Sequence, residues 1–167
     1  VGMEEFMKLY ETVYQDLYRV AYYYLGNGAD AEDAVQDAVL AAWENFGKLR
    51  RKEAFRAWIF QILANVCKKS LRRPALRGYP SENPLQEGNA EKGTAAEGGL
   101  TERLEILELL SGLDEEERMI ILLSVFGGYK GEEIAGILKR RHSTVRSRYR
   151  RALKKLERKL QREEESV

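Results

Sequence analysis

Residues 129–160, YKGEEIAGILKRRHSTVRSRYRRALKKLERKL, restrict the fold more than any other part of the chain. The stretch opens with a short apolar-patterned segment, Ile134, Ala135, Ile137 and Leu138, which a polar turn at residues 139–142 interrupts. From Ser143 onward the apolar residues are Val145, Tyr149, Ala152, Leu153, Leu156 and Leu160. Offsets of i, i+4, i+7, i+8, i+11 and i+15 place them on one face of an α-helix. The other faces carry Arg146, Arg148, Arg150, Arg151, Lys154, Lys155, Arg158 and Lys159, with Glu157 the only acid among them. Two helices joined by a tight turn, the second strongly basic, form the pattern of a helix-turn-helix whose second helix enters a DNA major groove.

A basic helix face can also be a merely solvated one. Here acids are so scarce along the second helix that i,i+4 ion pairs cannot relieve the repulsion. Like charge concentrated in this way costs stability unless a polyanion offsets it, which favours DNA. The formal charge of the whole chain, +1, hides this asymmetry. Acids collect at residues 4–11, 30–37 and 114–117, and bases at residues 68–73 and again from Lys139. Patches of opposite sign kept apart imply two kinds of partner.

The 167 residues suffice for one ordinary domain or two small ones. In the first segment Phe6, Leu9, Tyr10, Val13, Leu17, Val20, Ala21 and Tyr24 recur at helical spacing, and Gly26, Asn27 and Gly28 stop it. Tyr14, Tyr18, Tyr22 and Tyr23 are expected to pack in or around the core. Asp30 is the expected N-cap of a second helix, with Asp33 three residues on. That helix buries Val35, Val39, Ala42, Trp43 and Phe46 and exposes Asp33, Gln36 and Asp37 on one side. Acids near a helix start favour the macrodipole, which accounts less well for Gln36 and Asp37.

A basic connection, GKLRRKEA, leads into FRAWIFQILANVCKKSLRR. Phe55, Trp58, Ile59, Ile62, Leu63, Val66, Cys67 and Leu71 mark the face of this third helix expected to be buried, and Pro74 closes it. Lys68, Lys69, Arg72 and Arg73 in its last turns suit the negative end of the dipole. Together with Lys48, Arg50, Arg51 and Lys52 in the connection, they exceed what capping requires. Cations bracketing a helix rich in aromatics suit single-stranded DNA, whose phosphates need charge and whose unstacked bases need ring faces.

From Pro74 to Gly99 periodicity collapses into a Pro- and Gly-containing, mildly acidic stretch that reads as a flexible linker. Helical spacing resumes with Leu104, Leu107 and Leu110. Asp114 and Glu117 then form a capping pattern before the apolar run RMIILLSVFGG, the expected core of a small bundle. No stretch alternates as a strand does, so the expected fold is all-α, two small helical domains joined by a linker. The boundaries fall at residues 3–74, 75–100 and 101–162.

The sequence has no Walker loop, no GxGxxG and no histidine pair for a metal; His142 is its single histidine and Cys67 its single cysteine. No acid sits in an apolar setting that would mark a general acid. A non-enzyme without metal or cofactor is expected. No signal-like opening and no apolar run of about 18 residues is present, which predicts a cytoplasmic protein without membrane insertion.

The stretches AEDAVQDAVLAAWENF and FRAWIFQILANVCKKSLRR resemble region 2 of a bacterial sigma factor. LDEEERMIILLSVFGGYKGEEIAGILKRRHSTVRSRYRRALKKL resembles region 4. Two such regions and a linker are similar to the extracytoplasmic-function (ECF) group. The resemblance implies a dissociable subunit of core RNA polymerase that recognises and opens promoter DNA, with the β′ clamp helices and the β flap as contacts. It places polymerase docking on Asp33, Gln36, Asp37 and Trp43, which supplies the reason for Gln36 and Asp37 missing above. It places the −10 element on the loop at residues 48–53, with Lys48, Arg50 and Arg51, and on Asn65, Lys68, Lys69, Arg72 and Arg73. The −35 element falls on Ser143, Thr144, Arg146, Ser147, Arg150 and Lys154, with Arg146 placed to reach a guanine edge. An anti-sigma partner is also implied.

The alternative, a stand-alone helix-turn-helix regulator, leaves Gln36, Asp37 and the bases around the third helix without a role. Three positions depart from the family pattern. Lys130 stands where Ser or Thr caps the first helix of the motif, and Gly131 beside it weakens that start by about 1 kcal/mol relative to Ala. Lys139 stands where Gly is usual and is expected to take positive φ. Ser143 also replaces a usual Gly.

Overall fold

A computed structural model of the chain describes residues 2–72 and 99–165. Among these residues there are seven α-helices and no strand, in agreement with the all-α expectation. Helices α1 (Met3–Leu25), α2 (Gly28–Glu44) and α3 (Phe55–Leu71) pack on one another. Helices α4 (Leu100–Leu110), α5 (Glu115–Val125), α6 (Gly131–Leu138) and α7 (His142–Glu165) form a second group around α5 and α7. Nearly all of the expected linker lies outside the described residues. Its last two positions, Gly99 and Leu100, serve as the N-cap and first residue of α4.

Phe6 sits at one end of the first group, with the rings of Trp43, Phe46 and Phe55 edge-on at centroid distances of 5.4, 5.2 and 5.7 Å. Edge-to-face geometry sets the positive ring rim against the negative ring face, so the cluster is held by more than area alone. Helix α1 ends at Gly26, whose φ of 89° turns the chain and lets its N–H donate to the Tyr22 carbonyl at 2.8 Å. Tyr18, Tyr22, Tyr23 and Tyr24 are buried, as expected for core tyrosines. Burial, reinforced by Tyr14, pushes the Tyr10 phenol up to about 12, so it stays neutral. Burial also raises the Cys67 thiol, which makes it a packing residue rather than a nucleophile.

Two details differ from expectation. The N-cap of α2 is Asn27, not Asp30; its side chain accepts from the Asp30 N–H at 2.8 Å. Asn tolerates the extended φ of −156° found there, and its amide also donates to the Asp30 carboxylate at 2.6 Å. On α3, Trp58, Ile62, Val66 and Leu71 are half-buried, while Phe60 and Ala64 join Ile59, Leu63 and Cys67 in the core. Val39 and Trp43 of α2 are likewise only half-buried.

The capping box of α5 forms as its residues suggest. Asp114 accepts from the Glu117 N–H at 2.8 Å, and Glu117 accepts from the Asp114 N–H at 2.9 Å. Glu117 is 0 % exposed, and the same Oε1 accepts from Lys155 Nζ of α7 at 2.7 Å. One carboxylate therefore starts α5 and ties α7 to it. Removing it forfeits a cap and leaves Lys155, with 37 % of its side chain exposed, without its counter-ion. Glu117→Ala is expected to lower stability by about 2–3 kcal/mol, read as a shift of the chemical denaturation midpoint followed by helix circular dichroism.

Candidate DNA-binding and protein-docking surfaces

The helix-turn-helix comprises α6, the turn and α7. Helix α6 starts without a side-chain cap from Lys130, but half of the usual arrangement survives. The Lys130 N–H donates to Glu133 Oε1 at 2.9 Å. Gly131 has a packing reason: a Cβ there would lie 3.2 Å from His142 Nε2, so glycine admits the His142 ring beside the start of α6. Helix α6 ends at Lys139, which takes the left-handed conformation, φ 54° and ψ 48°, as its position requires. It is the sole non-glycine residue with positive φ among those described. The Lys139 N–H and the Arg140 N–H, the latter at 3.0 Å, both donate to the Ala135 carbonyl and close the turn. Helix α7 begins at His142, one residue before the expected Ser143.

Val145 and Ala152 anchor α7 to the bundle. Ser143, Arg146, Ser147, Arg150, Arg151 and Lys154 face solvent, and Thr144 is half-buried. Arg146 and Arg150 lie one turn apart, as do Ser143 and Ser147, so the outward stripe presents two guanidinium groups beside two hydroxyls. Arg146, Arg150 and Lys154 form no ion pair with a described residue, which leaves their charge available.

The other side of α7 corrects the charge reading of the sequence. Arg148 Nε lies 3.4 Å from Glu116 Oε2 and its Nη1 4.0 Å from Asp114 Oδ2. Lys155 holds Glu117, and Lys159 Nζ lies 3.2 Å from Glu108 Oε1. In the turn, Arg140 Nε lies 3.1 Å from Glu116 Oε1. The acids missing from α7 come from α4 and the start of α5. Repulsion along the helix is thus relieved by tertiary packing on one side and left standing on the other.

On α2 the exposed stripe consists of Asp33, Gln36, Asp37 and Leu40. Leu40 was missed from sequence: it is 58 % exposed on the same face, a large apolar side chain amid acids. Its signal was present, because Leu40 falls between the buried positions Ala38 and Ala42 and off their helical face. Trp43, one turn beyond Leu40, is half-buried, its ring edge-on to Phe6 and 6.4 Å from the Phe46 ring.

The bases around α3 do not converge on one point. Lys48, Arg50 and Arg51 are exposed before the helix, Arg51 only loosely paired with Glu53 at 3.9 Å, while Lys52 bridges to Glu5 of α1. Lys69 and Arg72 are exposed, and Lys68 half-buried, at the far end; Arg73 lies outside the described residues. The 17 residues of α3 set these ends about 25 Å apart. Between them run half-exposed Trp58 and Ile62 and exposed Asn65, spaced so that Trp58, Ile62, Asn65, Lys69 and Arg72 share a face. A polar edge and apolar surface thus lie between two cationic ends.

Two family models match the chain: Sigma-70 region 2 over residues 9–76, and Sigma-70 region 4 over residues 103–156. The ECF RNA polymerase sigma factor SigL of Mycobacterium tuberculosis (strain ATCC 25618 / H37Rv) is 32 % identical over 152 residues, covering 89 % of this chain and 84 % of SigL. This chain belongs to the ECF sigma factor family. Among other relatives of this sigma factor, SigV of Bacillus subtilis is 30 % identical, over 84 % of this chain and 81 % of SigV. The ECF sigma-E factor of Escherichia coli is 31 % identical, over 79 % and 74 %. The fold matches CnrH, solved in complex with the cytosolic domain of CnrY, with a TM-score of 0.72 and 25 % identity over 96 % of this chain and 90 % of CnrH. It also matches RpoE of Bartonella quintana, solved with the anti-sigma factor NepR, with a TM-score of 0.73 and 22 % identity over 95 % and 98 %. As an alternative sigma factor, the chain directs transcription initiation.

The left-handed Lys139 costs about 1 kcal/mol that glycine would avoid, partly offset by the greater freedom of glycine in the unfolded chain. Lys139→Gly is therefore expected to raise stability by up to about 0.5–1 kcal/mol, measured as an increase in thermal midpoint.

Proposed function

We propose that residues 3–74 dock on core polymerase and hold the opened −10 element, while residues 101–162 read the duplex −35 element. The observation that carries this reading is the placement of exposed groups of opposite character on separate helices: Asp33, Gln36, Asp37 and Leu40 on α2, and Arg146, Ser147, Arg150 and Lys154 on α7. A polyanion cannot use the first surface, and a protein coiled coil has no need of the second. Leu40 gives the acidic stripe an apolar anchor of the kind that dominates protein interfaces. Trp43 contributes by fixing the end of α2 through Phe6.

For DNA, Ser143 and Thr144 at the start of α7 suit phosphate and position the helix, while Arg146, Ser147 and Arg150 reach base edges. Lys154, three turns along, meets backbone. On the first half, Lys48, Arg50 and Arg51 before α3 and Lys68, Lys69, Arg72 and Arg73 at its end supply cations for one opened strand. Trp58 offers a ring face, and Asn65 an edge that a base taken out of the stack can pair with. The protein acts in the cytoplasm, without catalysis of its own, and an anti-sigma protein masks one or more of these surfaces. The solved relative bound to NepR supports that last role.

Purified core polymerase with this protein is expected to yield promoter-dependent transcripts that core alone does not; their absence would sink the reading. Within that assay, Asp37→Arg and Leu40→Asp should each abolish co-elution with core while leaving helix content unchanged. If both still bind core, docking lies elsewhere. On duplex promoter fragments, Arg146→Ala should alter sequence preference upstream, with a loss of about 1–3 kcal/mol at the cognate base pair. Lys154→Ala should weaken binding equally on all sequences, and a sequence-selective loss would remove it from the backbone contacts.

A further inference from the structure

We infer that the end of α6 and the turn after it form a seat for one strand of duplex DNA, in which Gly136 leaves the space and Lys139 and Arg141 supply the charge. The seat rests on the reading of residues 101–162 as the part that binds the duplex −35 element, and it adds a contact that lies outside α7.

Two residues here weaken the fold without a packing reason. Gly136 lies inside the eight-residue helix α6, where glycine is unfavourable. It is exposed, and a Cβ there would meet no atom within 4 Å. Gly131, by contrast, makes room for the His142 ring. Three residues after Gly136, Lys139 holds the left-handed backbone described above. Its side chain is exposed and forms no ion pair with a described residue, so nothing in the fold offsets the strain. Strain kept where the fold does not use it points to a function at that position.

The turn that carries the charge is held from three sides. The Lys139 and Arg140 N–H groups both donate to the Ala135 carbonyl of α6. The Arg141 carbonyl accepts from the Val145 N–H of α7 at 3.1 Å. Between them the Arg140 side chain turns inward to α5, its Nε 3.1 Å from Glu116 Oε1. The bases on either side of it, Lys139 and Arg141, are exposed and unpaired among the described residues. The middle cation thus pins the turn to the bundle and leaves the outer two on a fixed backbone. Charges presented in this way lose little freedom when they meet a ligand.

The ligand that fits is a phosphodiester strand. In a helix-turn-helix the second helix enters the groove while the first crosses the backbone, which brings the end of α6 to the rim where phosphates lie. Bare main chain at Gly136 admits a strand closer than any side chain would allow. Two cations flank that gap on the α7 side, with no amide or hydroxyl among them to read a base edge, so the contact positions the protein without selecting sequence. Glu132, exposed one turn before Gly136, limits the seat at its other end by repelling phosphate. The strained Lys139 is therefore a positioning residue for α7: stability is given up there for a charge at the rim of the groove.

The test is a salt titration of binding to duplex promoter fragments by the full chain assembled with core polymerase, with a thermal melt of each variant beside it. Lys139→Asn keeps a residue that accepts the left-handed backbone and removes the charge. It and Arg141→Gln are each expected to bind every fragment roughly 3- to 10-fold more weakly, with a salt slope shallower by about 0.9. Lys139→Gly should lose the same affinity while melting higher, so that binding and stability move in opposite directions. Gly136→Gln, which restores a good helix former, should also melt higher and bind several-fold more weakly. Charge variants that match wild type in affinity and salt slope would overturn the phosphate contact, and so would a loss confined to particular sequences. A more stable Gly136→Gln with undiminished binding would overturn the close approach of the strand. Arg146→Ala separates the seat from the reading beneath it. If that variant alters binding and the turn variants do not, the seat alone is lost; if wild type binds no fragment, both fall.

Discussion

Helix α5 carries two consecutive buried charges that face different ways, and much of the structure hangs on that pair. Glu117 begins its own helix through the capping box and holds α7 through Lys155. Arg118, next in the chain, reaches out of the group to the end of α1. A successive pair on a helix is separated by about 100° of rotation, so one turn of α5 can serve both sides. Burying either charge is costly unless its partners are in place. The start of α5, the seating of the DNA-reading helix and the docking of the two halves are therefore coupled through adjacent residues.

Much of the fold was legible because its periodicity was strong. The apolar offsets of α1, α3 and α7 place Leu17, Leu63 and Ala152 in the core, and the Asp114–Glu117 pattern marked a real capping box. What escaped were features that depend on neighbours distant in sequence. Asn27 rather than Asp30 caps α2 because the left-handed Gly26 has already turned the chain there. Trp58 and Ile62 have core-like chemistry but lie toward the edge of the α1–α2–α3 packing, which no local pattern reports. Leu40 was overlooked for the opposite reason: it is apolar but off the buried face of its helix. The contacts of Arg56 with the Gly127 carbonyl and of Arg118 with the Tyr24 carbonyl were invisible, since nothing local distinguishes a guanidinium that meets solvent from one that meets a carbonyl far along the chain.

Charge on α7 shows the same limit. Along the sequence it is an almost unbroken basic run, and repulsion then demands an external polyanion. In three dimensions Arg148, Lys155 and Lys159 are matched by Asp114, Glu116, Glu117 and Glu108. The demand falls by about a third, yet the DNA reading gains. Neutralising the inner side fixes the helix rotation, so that Arg146 and Arg150 point outward together rather than by chance.

This division has a consequence for the ions around promoter DNA. Condensed cations are displaced only by protein charges that reach phosphates, and each such neutralisation contributes about 0.9 to the slope of log affinity against log salt. Arg146, Arg150, Arg151, Lys154, Arg158 and Arg162 of α7 are unpaired among the described residues, whereas the three inward bases already hold carboxylates. Helix α7 can therefore release no more than about six counterions, not the nine its composition suggests. For its length it grips DNA less tightly at low salt, and loses less of that grip as salt rises.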